Sequence, residues 1–206
     1  MCILVTGFEH CAWEAQQSLA SVFRSLNETN GQKISIVICG GEKLVDLADG
    51  RDLSYLNHAE AKEWPDMDMD EVNQIHQKCF PNHLLSTSTA LEILQASNGH
   101  LWLLEQYMAF RHQYPNDDLS LIHDQLAQSS YVCRIFMPFL KDQKKHDMIC
   151  QLLQKDVIGP ANFRYTKPLI KKLYWNNLLI RASNYTKLMW RPFFQKAGLE
   201  FFWLYI

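Results

Sequence analysis

The sequence predicts an α/β N-terminal part with few parallel strands, followed by a mostly α-helical region and a winged-helix-like end. Three observations predict this. Ile3–Val5 and Ile34–Cys39 are short β-branched apolar runs, each closed by glycine, with a helical period between them. From Trp64 to about Tyr174 the apolar spacing is helical throughout. Strand signal returns only at Leu178–Ile180 and Lys187–Trp190, flanked by helical segments from Pro168 and from Pro192.

The first element is a buried strand, Ile3 to Val5, ended by Thr6-Gly7. Ala12, Ala15, Leu19, Phe23 and Leu26 then fall at helical spacing, and Asn30-Gly31 supplies the stop. A second buried strand runs from Ile34 to Cys39. A helix between two such strands implies a crossover and parallel pairing. After an irregular stretch through Asp49-Gly50, Trp64-Pro65-Asp66 opens a helix, and Asp68 with Glu71 forms a capping box ahead of Val72, Ile75 and Cys79. Helical pieces follow at Thr87–Ala96, Leu101–Phe110, Leu119–Leu126, Val132–Leu140 and Met148–Leu153, with Asn98-Gly99, Pro115-Asn116 and Gly159-Pro160 as breaks. A helix at Pro168–Tyr174, two strands about Ser183-Asn184 and a last helix from Pro192 complete the winged-helix pattern. Three parts result: 1–64, 65–115 and 116–206.

The 206 residues are 48% hydrophobic and 20% charged, enough for a substantial core. Twenty basic and 22 acidic residues leave a net charge of −2, so no overall field selects nucleic acid or anionic lipid. The distribution is uneven: the last 43 residues carry eight Lys/Arg and one acid, near +7, and the remainder is near −9. Six cysteines without a C-x-x-C pair, several inside apolar runs, suit a reducing compartment. With no signal peptide and no apolar run near a span's length of about 20 residues, the expected location is cytoplasmic, with no membrane partner.

Candidate chemistry is sparse. Asp66, Asp68 and Asp70 are spaced like the first three ligands of a calcium loop, but positions 6 and 12 are Glu71 and Gln77 instead of Gly and Glu. Helix capping accounts for them better. The eight histidines form no H-E-x-x-H or other zinc spacing, so no metal ligand is assigned. Cys11 lies beside Glu9-His10, and packing at a strand-to-helix turn explains it without a reactive thiolate. Glu9, just beyond the carboxyl end of a strand, is the best single candidate. It stands either where α/β sheets place ligands or at a solvated helix start, where an acid is favourable anyway. Lys167, Lys171, Lys172, Arg181, Lys187 and Arg191, interleaved with aromatic residues, form a surface for nucleic acid or for a protein partner.

Taken together, Ile3-Leu4-Val5-Thr6-Gly7-Phe8-Glu9-His10, the helix from Gln16 to Leu26, Ile36–Leu44, the stretch from Ser54 through Trp64-Pro65-Asp66 to Val72, Asn98-Gly99-His100-Leu101, Leu173–Leu179 and Met189–Phe193 resemble the STAND class of AAA+-like P-loop ATPases. The match runs from the Walker B strand through the helical lid to the winged helix. It implies a partial P-loop-type core in 1–64, a lid in 65–115 and a winged-helix-like domain in 116–206.

The departures set the functional expectation. No G-x-x-x-x-G-K-[ST] occurs, Thr6 replaces the metal-holding Asp of the family, and Leu101 replaces the lid Pro. The resemblance therefore implies a truncated, catalytically inactive remnant that acts as a protein-interaction or regulatory module, with no cofactor for the isolated chain. Thr6, Gly99 and His100 would be an eroded nucleotide site. One alternative is a split ATPase, in which a partner supplies the P-loop, ATP and Mg²⁺ bind, and Glu9 is catalytic. The other is nucleic-acid binding through the basic end. An incomplete parallel sheet also leaves apolar surface uncovered. A protein partner, a homo-oligomer or the apolar tail Phe201–Ile206 would have to cover it.

Overall fold

The computed structural model describes residues 1–30, 33–39, 44, 65–161, 167–182 and 186–204. The chain divides into two compact units, Met1–Trp64 and Pro65–Ile206. Its described part is mostly helical, with a two-stranded parallel sheet in the first unit and a three-stranded antiparallel sheet in the second.

In the first unit β1 (Cys2–Thr6) pairs in parallel with β2 (Ser35–Cys39), in the register Leu4↔Val37, and α1 (Trp13–Asn30) lies between them in sequence. After β1 the chain turns at Gly7, whose φ of 69° lies in the left-handed region that favours glycine, into a short 3₁₀ turn at Phe8–His10. Phe8 and Ala20 are the buried centre, with Val5, Phe23, Ile38 and Leu44 packed around them. The Gln16 amide donates to the Phe8 carbonyl at 3.2 Å, which satisfies a polar side chain buried beside that centre.

Two expectations are corrected in this unit. The strands are not buried on both faces: along β1 exposed and half-buried residues alternate, and Leu4 is 66% exposed opposite Val37 at 46%. Sheet pleating sends Cys2, Leu4 and Thr6 to one face with Ser35 and Val37, and only the other face meets α1. The helix phase also differs. Gln16 and Ala20 are the buried residues of α1, while Ala12, Ala15 and Leu19 face outward.

The second unit begins with α2 (Met69–Cys79), capped as the sequence predicts: the Glu71 amide donates to the Asp68 carboxylate at 3.0 Å and the Asp68 amide to the Glu71 carboxylate at 3.0 Å. Then come α3 (Thr87–Ser97), α4 (Leu101–Gln113), α5 (Ser120–Ala127), α6 (Ser130–Leu140) and α7 (Gln143–Leu153). The end is β3 (Gly159–Pro160), α8 (Pro168–Trp175), β4 (Leu179–Arg181), β5 (Lys187–Trp190) and α9 (Pro192–Leu204). Gly159-Pro160, expected as a break, is instead an edge strand of a sheet ordered β3-β5-β4. Proline is tolerated at such an edge because no ladder donor is needed on the open side. Ser183-Asn184 lies outside the described residues.

One apolar core serves this whole unit, and residues on both sides of position 115 contribute to it. Its last wall is α9, whose Phe193, Phe194, Ala197, Gly198, Phe201 and Phe202 recur at helical spacing as a single buried stripe. A Cβ at Gly198 would stand 2.8 Å from Leu153 and 2.9 Å from Phe136, so glycine lets α9 sit close to α6 and α7. The indole of Trp190 donates to the Leu152 carbonyl at 2.9 Å and ties β5 to the end of α7. Phe201 and Phe202 belong to this core, while Trp203 and Leu204 are exposed.

Candidate functional site

The residues singled out from the sequence fall in both units. Thr6 and Glu9 belong to the first: Thr6 ends β1 on its exposed face, and Glu9 sits in the turn that follows Gly7. Gly99 and His100 belong to the second, where they link α3 to α4.

Around Gly99 the second unit builds a polar cluster from three segments far apart in sequence. Asn98 closes α3 in the left-handed region (φ 51°) and Gly99 continues there (φ 70°). The Met67 amide donates to the Gly99 carbonyl at 3.0 Å, which draws the Asp66-Met67 segment against the turn. A Cβ at Gly99 would lie 2.8 Å from the Asp66 Cβ and 3.0 Å from the Met67 carbonyl oxygen. Glycine is required here because the chain's own backbone fills that space.

His100 caps α4, its Nδ1 accepting from the Leu103 amide at 3.5 Å, and its ring meets Phe194 edge-on at 4.9 Å between centroids. Burial, and then the nearby Arg191 guanidinium, lower its pKa to about 3. A neutral imidazole is the form that can accept from a backbone amide at Nδ1.

Arg191 completes the cluster. It is 2% exposed and precedes the first residue of α9. Its Nε donates to the Asn177 carbonyl at 2.9 Å, Nη1 to the Asn98 carbonyl at 2.6 Å, and Nη2 to the Asn177 side-chain oxygen at 2.6 Å and to the Asp66 carboxylate. Asn177 also adopts a positive φ, 60°, which presents its carbonyl and side chain together. One guanidinium thus joins the segment before α2, the α3–α4 turn, the α8–β4 turn and the start of α9. Planar fork geometry suits arginine to this and would not suit lysine.

The basic residues expected to share one surface are divided. Lys167, Lys172 and Lys187 are exposed, while Lys171 and Arg181 are half-buried. The Arg181 Nε donates to the Tyr174 hydroxyl at 2.9 Å, and its guanidinium lies 5.6 Å from that ring's centroid. Arg191 is a correction: it belongs to the interior, because its donors are committed to carbonyls and a carboxylate of its own unit. Sequence reasoning missed Asp66, Asn98 and Asn177 as its partners. The available signal was turn chemistry, since Asn98-Gly99 and Asn176-Asn177 both mark helix ends where a carbonyl turns inward.

Among the described residues no group of three or more His, Cys, Asp or Glu is arranged to hold a metal ion, and all six cysteines are free thiols. No helix among them is long and apolar enough to cross a membrane. No known protein family, curated protein or solved structure matches this chain.

Proposed function

We propose that this chain is a STAND-like module that does not hydrolyse ATP by itself and works by binding another protein. The observation that carries this reading is the open face of the first unit. Parallel sheets are ordinarily covered on both faces, yet Leu4 and Val37 stand side by side and exposed on β1 and β2. That apolar pair is the kind of surface that a partner removes from water. The strand–helix–strand order with parallel pairing supports a partial P-loop-type core, and the order α8, β4, β5, α9 with β3 alongside supports a winged-helix-like end. Thr6 in the metal position and Gly99 packed against Asp66 and Met67 both count against nucleotide binding.

Thermal unfolding with and without millimolar Mg-ATP tests the reading. A ligand at 100 times its Kd stabilises by about 2.7 kcal/mol. A flat response agrees with the proposal, and a clear rise in Tm overturns it.

A second reading, the split ATPase, is favoured by one observation: an acid, Glu9, stands in the turn after a strand whose sheet has open edges among the described residues. It requires that a chain bearing the phosphate-binding loop co-purify with this one and give ATP turnover that Glu9→Gln abolishes.

A further inference from the structure

The second unit holds a cavity of about 230 Å³ between α7, β3 and α8. Leu152, Ile158 and Ile170 make its apolar floor, with Met148 beside them, and Lys155 and Lys167 are exposed at its rim. Neither ammonium is paired with a carboxylate among the described residues. A solvated surface does not need an apolar socket between two unpaired cations; an amphipathic acidic ligand does.

We infer that this cavity docks an acidic peptide segment of a partner protein, one large apolar side chain entering the socket and flanking carboxylates meeting Lys155 and Lys167. The size argues for a single side chain, since pockets for whole drug-sized ligands run to about 300–1,000 Å³. Pro160 lies in the edge strand and lines the cavity. It has no N–H, which disfavours an added strand held by a backbone ladder and leaves side-chain anchoring. A nucleic acid would seek aromatic stacking surfaces, and among the described residues no aromatic ring lines the cavity. A lipid bilayer would meet a protruding surface better than a recess.

The cavity lies wholly within residues 65–206 and shares no residue with the Leu4/Val37 face. Failure of either proposal therefore leaves the other standing.

Fluorescence anisotropy with the full chain tests it, using a labelled heptapeptide of one phenylalanine between two runs of three glutamates. Saturable binding is expected, weakened by added salt and weakened at least about tenfold by Lys155→Glu with Lys167→Glu. Both lysines are exposed, so circular dichroism of that variant should match the parent. Gln151→Trp, which fills the cavity from an exposed position, should weaken binding as much. Replacing the phenylalanine by alanine, or the glutamates by glutamines, should do the same. No saturable binding, equal binding of the glutamine peptide, indifference to both variants, or binding only to anionic phosphatidylserine vesicles would each overturn the proposal.

Discussion

Arg191 and Asp66 lie 125 positions apart and form an ion pair in which the guanidinium is 2% exposed and the carboxylate 49%. The pair links the start of the last helix to the segment that leads into α2. Removing the carboxylate leaves a buried cation with only neutral acceptors. Asp66→Ala is therefore expected to cost about 3 kcal/mol, the lower end for breaking a buried pair, because Asp66 itself is partly solvated. Arg191→Met with Asp66→Ala should cost less than the two single changes summed. Urea unfolding of the four proteins of this double-mutant cycle measures that difference, and additivity would show that the pair is not coupled.

The Gly99 turn gives a second expectation. An alanine there would have to hold φ near 70° and place its Cβ against the Asp66 Cβ and the Met67 backbone. Gly99→Ala should destabilise by about 2 kcal/mol, while Asn98→Gly, at the same turn and also at positive φ, should cost far less, because glycine holds the left-handed conformation of a helix C-terminus without strain. Equal effects in thermal unfolding would locate the constraint elsewhere.

Acid should weaken the second unit. His100 is held near pKa 3 by burial and by Arg191, and burial is also the main cause that lowers His76 and His123. Each folded pKa lies below the unfolded value of 6.5, so the unfolded chain binds more protons. The stabilisation from the neutral rings is complete above about pH 6.5 and is lost as pH falls toward the folded pKa. For His100 alone the loss between pH 7.5 and pH 5 is about 2 kcal/mol. His100→Asn, which keeps a capping acceptor without a titrating ring, should flatten that part of the pH profile of unfolding free energy.

The exposed sheet face should behave differently from the core. Leu4→Glu and Val37→Lys are expected to change stability by no more than about 0.5 kcal/mol, as for other surface positions. Their effect should fall on association instead. Equilibrium sedimentation of the parent and both variants, alone and with any partner identified by co-purification, is the measurement, and unaltered association would remove Leu4 and Val37 from the interface.

The sequence by itself determined the local structure of this protein. Apolar period placed most helices, Asp68 with Glu71 announced the capping box, and two β-branched runs around one helix implied parallel strands; each of these depends on neighbours a few residues apart. Only the tertiary structure decided which faces are covered and which charges are turned inward. Leu4 looks buried in sequence because β-branched neighbours flank it, and is exposed because, among the described residues, α1 packs on the other face of the sheet. Arg191 looks like one more cation in a basic tail, and is interior because Asp66, Asn98 and Asn177 converge on it from the segment before α2 and from two turns. Asp66 likewise reads as a calcium ligand or a helix cap until the partner 125 residues away is in place. Long-range pairing of this kind leaves no periodicity in the chain, because its geometry exists only once the helices between the partners have packed.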